Sequence, residues 1–200
     1  MFRKPPMSVR VDGRKYRINP DFRIFAKLES DVHRDKLNIE QVLRAFYRND
    51  IPDNVDAAVE RLIWFYRGGA EQKEESGDKR TVQLGYDFEQ DEDALYQSFA
   101  RDYKIDLYTV NLHWWKFCQL CAGLSDDAPF RRLIYIRTVD TSKLPKEQRA
   151  SVMKAREQCR LGFDAQQQPR TVEDYEAARI AELRKAYEDC LLYTSDAADE

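Results

Sequence analysis

Apolar residues recur at helical spacing in nearly every segment after Asn19, and that periodicity confines this chain to a mainly α fold. Phe22, Phe25, Ala26 and Leu28 carry the first helix, opened by Asn19 as cap and Pro20 at the first helical position. Val42, Leu43, Phe46 and Tyr47 share one side of a helix over 39–48. Val55, Ala58, Val59, Leu62, Ile63, Phe65 and Tyr66 mark another over 55–67, which stops at Gly68-Gly69. Residues 87–103 follow with an acidic first turn and an inner face of Phe88, Leu95, Phe99 and Tyr103. Residues 110–124 carry two adjoining apolar stripes and read as a central, widely buried helix. Residues 128–137 hold the run Leu133-Ile134-Tyr135-Ile136, which predicts burial nearly all round. A polar helix over 144–161 and a last one capped by Thr171 complete the chain.

One segment breaks the pattern. Val9 and Val11, then Tyr16 and Ile18, alternate about Asp12-Gly13, which predicts a β-hairpin over about 8–18. A lone hairpin is marginal in water, so it must dock on the helices. Residues 70–85 have no period and read as a surface loop. The expected architecture is an N-terminal hairpin packed on a compact multi-helix bundle, with a polar C-terminal helical extension. Residues 1–140 form the hairpin and helical core, and 141–189 the charged extension.

The last eleven residues, Cys190 to Glu200, need separate treatment. The run CLLYTSDAAD is the translation of TGT CTC TTA TAC ACA TCT GAC GCT GCC GAC, a transposon-end sequencing adapter. Residues 190–200 are therefore expected to be non-native, with the native reading interrupted near Asp189. Removing Asp196, Asp199 and Glu200 moves the net charge from -3 to 0. It also leaves Cys118, Cys121 and Cys159, an odd set that argues against a disulfide framework. Gly and Pro number only 7 each, which excludes a collagen-like or low-complexity chain. No apolar run approaches the ~18 residues of a spanning helix, so no membrane role is expected.

The chain is poor in chemistry-bearing motifs. The chain has no phosphate loop, GxGxxG, nucleophile elbow or HExxH. No catalytic, cofactor-binding or metal-ligating residue is nominated, and the protein is expected not to be an enzyme. Cys118 and Cys121, near His113, invite a metal reading, but a structural zinc site wants four ligands and this pair sits in an apolar helix. Core packing suits these thiols better. Trp114-Trp115 reads as core rather than a stacking platform, with indole N–H groups that need partners.

Charge is distributed unevenly. Residues 71–106 carry 11 acidic and 5 basic side chains, a net of -6. Residues 131–160 carry 9 basic and 3 acidic, a net of +6. Intramolecular complementarity or a solvated face is the ordinary explanation. Self-association or a partner surface is the second, and nucleic acid is disfavoured by the near-zero total.

Three elements in order carry a resemblance: Leu62-Ile63-Trp64-Phe65-Tyr66-Arg67-Gly68-Gly69, Tyr86-Asp87-Phe88-Glu89-Gln90-Asp91, and Leu112-His113-Trp114-Trp115-Lys116-Phe117, which runs on to Phe130-Arg131-Arg132-Leu133 and Leu144-Pro145-Lys146-Glu147. Over roughly 14–160 the chain resembles the bacteriophage gene-product-fifteen family of siphophage tail modules. The resemblance implies a small, mainly helical phage protein of the tail region. It implies a tail assembly chaperone that coats the tape-measure protein in the cytoplasm of the infected bacterial host, with no cofactor. A structural tail or head-tail connector subunit is the alternative, and a nucleic-acid-binding phage regulator the third. For the chaperone role, Phe46, Tyr47, Trp64 and Tyr66 are nominated as contacts, with some aromatic residues of these two segments expected to stay partly exposed, and Arg131, Arg132 and Arg137 as basic contacts. Self-association is a further expected partnership.

Overall fold

The computed structural model describes residues 4–34, 36–70, 81–82, 85–162, 170–171, 181 and 185. The adapter-like residues 190–200, residues 71–80 of the expected loop and nearly all of the helix expected after Thr171 lie outside the described residues. The described chain is mainly helical with an N-terminal hairpin, as its periodicity predicts. It forms two compact units, and the boundary expected at 140 falls inside the second. The first holds described residues 4–34, 36–70, 111–119, 181 and 185; the second holds 81–82, 85–110, 120–162 and 170–171.

In the first unit, β1 (Ser8–Val11) pairs antiparallel with β2 (Arg14–Arg17), Val9 facing Tyr16 and Val11 facing Arg14. Asp12 and Gly13 take φ of 45° and 79°, the primed-turn geometry that matches strand twist. Val9 and Val11 are buried, and β1 packs on α3 (Val55–Tyr66). Asn54 caps α3 by accepting from the Ala57 amide, and its own amide donates to Asp12 at 2.9 Å. The hairpin turn is thereby tied to the helix start. Ile18 then bridges Tyr47, at the end of α2 (Ile39–Phe46).

The first helix starts later than expected. α1 spans Phe22–His33, and its cap is Asp21, which accepts from the Arg23 amide at 3.0 Å. Asn19 and Pro20 stay outside the helix because their backbone is claimed elsewhere: the Asn19 amide donates to Phe46 O, and Pro20 O accepts from the Trp114 amide. The core of this unit is aromatic. Phe25, fully buried, lies 5.2 Å from Phe65, 5.3 Å from Trp114 and 5.9 Å from Phe46, ring centre to ring centre. Phe22 stacks on Phe117 at 4.5 Å. Each such buried ring contributes about 1.5–3 kcal/mol through burial, and its ring pairs add to that.

In the second unit, α4 (Glu92–Tyr103) packs on α6 (Pro129–Thr138), and α6 packs on α7 (Lys146–Gln158). Leu95, Phe99, Phe130 and Leu124 form its apolar centre. Ser98 joins the two helices: its hydroxyl donates to Ala94 O and accepts from the Phe130 amide at 3.0 Å. The unit boundary falls within α5 (Trp114–Ala122).

Four sequence expectations need correction here. The helix expected from 87 begins at Glu92, because Asp87 turns the chain first, accepting from the Glu89 and Gln90 amides. α5 is not widely buried: Trp114 and Phe117 are buried, while Cys118 and Ala122 are exposed. α6 is not buried all round: Phe130 and Arg137 face inward and Tyr135 is 54% exposed. The expected loop over 70–85 holds a strand, β3 (Thr81–Val82), paired antiparallel with β4 (Arg170–Thr171).

Candidate partner-binding site

The end of α3 is where two of the sequence elements meet. The helix ends in a Schellman turn: the Gly69 amide donates to Trp64 O at 3.0 Å and the Gly68 amide to Phe65 O at 3.1 Å. Both glycines sit at positive φ, 72° and 78°, which non-glycine residues adopt only with strain. The last carbonyls of a helix lack intrahelical partners. Here two indoles reach them. Trp114 Nε1–H donates to Tyr66 O at 2.9 Å, and Trp115 Nε1–H donates to Phe65 O at 2.7 Å. The indole of Trp115 lies over Gly69 so closely that a Cβ there would sit 2.6 Å from its ring. The spacing Trp-Phe-Tyr-x-Gly-Gly against His-Trp-Trp therefore has a physical reason.

Neighbouring polar groups hold this lock in place. The Tyr66 hydroxyl donates to the buried Glu29 carboxylate at 2.7 Å. His113 Nδ1 accepts from the Trp115 amide at 3.1 Å, which leaves its Nε2–H to donate to Pro6 O at 3.0 Å. Burial holds His113 below its ordinary value of 6.5; the Pro6 carbonyl opposes that shift and Lys116 adds to it. What remains at the surface is an indole pair. Trp64 and Trp115 meet edge to face at 5.8 Å, and both are half-buried.

The nominated contacts separate into two groups. Phe46, Tyr47 and Tyr66 are buried. Phe46 fills the aromatic core, Tyr47 donates its hydroxyl to Ala58 O at 2.9 Å, and Tyr66 ends in the Glu29 hydrogen bond. Burial also raises the Tyr47 phenol far above its ordinary value. Trp64 keeps the expected partial exposure. Trp115, read from sequence as core, joins it at the surface. The signal was the Gly-Gly after Tyr66, which leaves room for one large ring.

Of the basic nominees, Arg131 and Arg132 are exposed on α6, but Arg137 is buried. Its guanidinium grips Asp91 with two bonds of 2.5 and 2.7 Å and also donates to Gly85 O and Cys159 O. Asp91 in turn accepts from the Asp87 amide. Gln90 bonds Arg160 O and the Gly162 amide at 2.8 Å each. The Tyr-Asp-Phe-Glu-Gln-Asp element is thus a polar tie that gathers 85–91, α6 and the end of α7 within the second unit.

Cys118 and Cys121 are free thiols. Desolvation raises the Cys118 thiol to about 12, with Glu29 adding to the shift, although the residue as a whole reaches the surface. Among the described residues no group of three or more His, Cys, Asp and Glu side chains is placed to hold a metal ion. Among them, too, no helix is long and apolar enough to cross a membrane.

Comparison with curated proteins and with solved structures returns no match. The model of one protein family, bacteriophage Gp15 protein, matches residues 3–161, a span that holds both the indole lock and the arginine tie. The chain belongs to the bacteriophage Gp15 protein family.

Proposed function

We propose that this protein is a non-catalytic tail assembly chaperone that binds the phage tape-measure protein in the cytoplasm of the infected host. The half-buried Trp64–Trp115 pair carries the reading. Tryptophans dominate binding hot spots, and a rigid indole pair suits the apolar stripe of a long amphipathic helix. The pair is pre-set by bonds to α3, so engaging a partner orders little further structure. Family membership supplies the phage context.

Co-expression with the tape-measure-like protein of the same phage, affinity capture and light scattering test the reading. The expected result is a soluble complex that Trp64→Ala weakens at least about tenfold while the fold is retained. Failure to form any complex, with the protein found instead in purified tails, would replace the reading with a structural tail subunit.

A further inference from the structure

The second unit carries two exposed faces of opposite charge, and its own packing keeps them apart. Asp91, Leu95 and Ser98 turn the N-terminal side of α4 toward Arg137 and Phe130 of α6. At 3.6 residues per turn, Asp93 and Tyr96 then fall on the side of α4 away from α6, with the exposed Glu92 on the flank of the helix. Tyr96 stacks on Tyr108 at 4.7 Å, and Tyr108 is 59% exposed. Asp106 anchors that loop by accepting from the Tyr108 amide, and Glu92, Asp93 and Asp106 all lie close enough to act on the Tyr108 hydroxyl. The result is an exposed Tyr108 stacked on a half-buried Tyr96, with three carboxylates in the same neighbourhood.

α6 is likewise two-sided. With Phe130 and Arg137 facing inward, Arg131, Arg132 and Tyr135 share the outer side, and all three are exposed. Arg131 meets Asp126 at 3.1 Å, but that carboxylate is 97% exposed and the pair is weak. An aromatic flanked by two guanidinium groups thus faces one way, and an aromatic pair flanked by three carboxylates faces the other. Guanidinium groups stack on tyrosine faces and pair with carboxylates.

We infer that copies of this chain associate head to tail, the Tyr96–Tyr108 face of one copy receiving the Arg131–Arg132–Tyr135 face of the next. One molecule cannot join its own two faces, since they lie on opposite sides of the α4–α6 layer. The contact is therefore between unlike surfaces, and such contacts extend or close into rings rather than stopping at a two-fold dimer. The occupant of each face is a second copy because the complementary charge and the matching aromatic are both on this chain. This inference is independent of the tape-measure reading, which uses Trp64 and Trp115 of the other unit.

The test uses the full chain and light scattering across concentration and salt. Mass is expected to rise with concentration beyond the dimer at low salt and to fall as salt screens the charges. Arg131→Glu with Arg132→Glu, and separately Glu92→Lys with Asp93→Lys, each weaken association by about tenfold or more. Mixed together, the two double variants regain association, because each keeps the face the other has lost. Circular dichroism of the variants controls for folding, and Tyr108→Ala gives a charge-neutral check in the same direction. A wild-type monomer at low salt, or association unaffected by both double variants, would overturn the inference.

Discussion

Both units tie the end of one helix to a distant segment, and they use different chemistry for it. In the first, two indole N–H groups satisfy the last carbonyls of α3, and the surroundings are rings. In the second, one guanidinium gathers a carboxylate and two carbonyls, and the surroundings are charged. Neutral donors lose little when buried once each has its partner. A buried ion pair instead depends on both members, since either left alone is an uncompensated charge. The first unit should therefore fail gradually when trimmed, and the second abruptly.

All three tryptophans, Trp64, Trp114 and Trp115, lie in the first unit, so their emission reports on it alone while circular dichroism reports on both. The largest expected effect is in the second unit. Arg137→Leu strands Asp91 and should cost about 3–5 kcal/mol in urea unfolding, and adding Asp91→Leu should recover part of that, the Asp87 amide and the Gly85 and Cys159 carbonyls still losing their bonds. The helical signal should be lost at lower urea than the tryptophan emission. Coincident loss would mean that the units unfold as one, and the contrast would fail.

Gly69→Ala comes next, at about 2–3 kcal/mol, from strained φ together with the Trp115 ring 2.6 Å from the new methyl. Gly68→Ala shares the strain but meets open space, and should cost about 1–2 kcal/mol. Equal losses at the two positions would sink the claim that Trp115 packs on Gly69.

Acid should separate the units more gently. His113 has a lowered value in the folded chain, so its contribution is present above about pH 6.5 and is lost as pH falls through the folded value. Asp102 is held down to about 2, first by the Ser125 amide and then by Arg101, so its contribution is present above 3.8 and is lost only as pH approaches 2. Between about pH 7 and pH 5 the emission-detected urea midpoint should fall, and His113→Gln should flatten that slope. The smallest effect is expected at the exposed Glu40–Arg44 pair on α2, where Arg44→Ala should cost about 0.3–0.5 kcal/mol and vanish in high salt.

Local chemistry was readable without the fold. Helical period located all seven helices among the described residues to within a few positions, and Asp12-Gly13 located the hairpin. Gly68-Gly69 marked the end of α3 for the same reason, since a Schellman turn depends on residues adjacent in sequence. The family was legible because its three elements lie in order along the chain.

Burial was not readable at the same level. The run Leu133 to Ile136 and the segment around Cys118 are apolar in sequence, yet Tyr135 and Cys118 reach the surface. Of the nominated aromatic contacts, Phe46 and Tyr66 lie inside and Trp64 reaches the surface. The pairing of Arg137 with Asp91, and of Trp115 with Phe65 O, joins residues 46 and 50 positions apart. No pattern of neighbours encodes such contacts. Propensity and capping are set within a turn or two of the chain, so the sequence determined which segments coil and where they stop. Which face of each helix meets another depends on how all of them pack at once, and only the tertiary structure decided which rings are core, which arginine is a tie and which side chains face solvent.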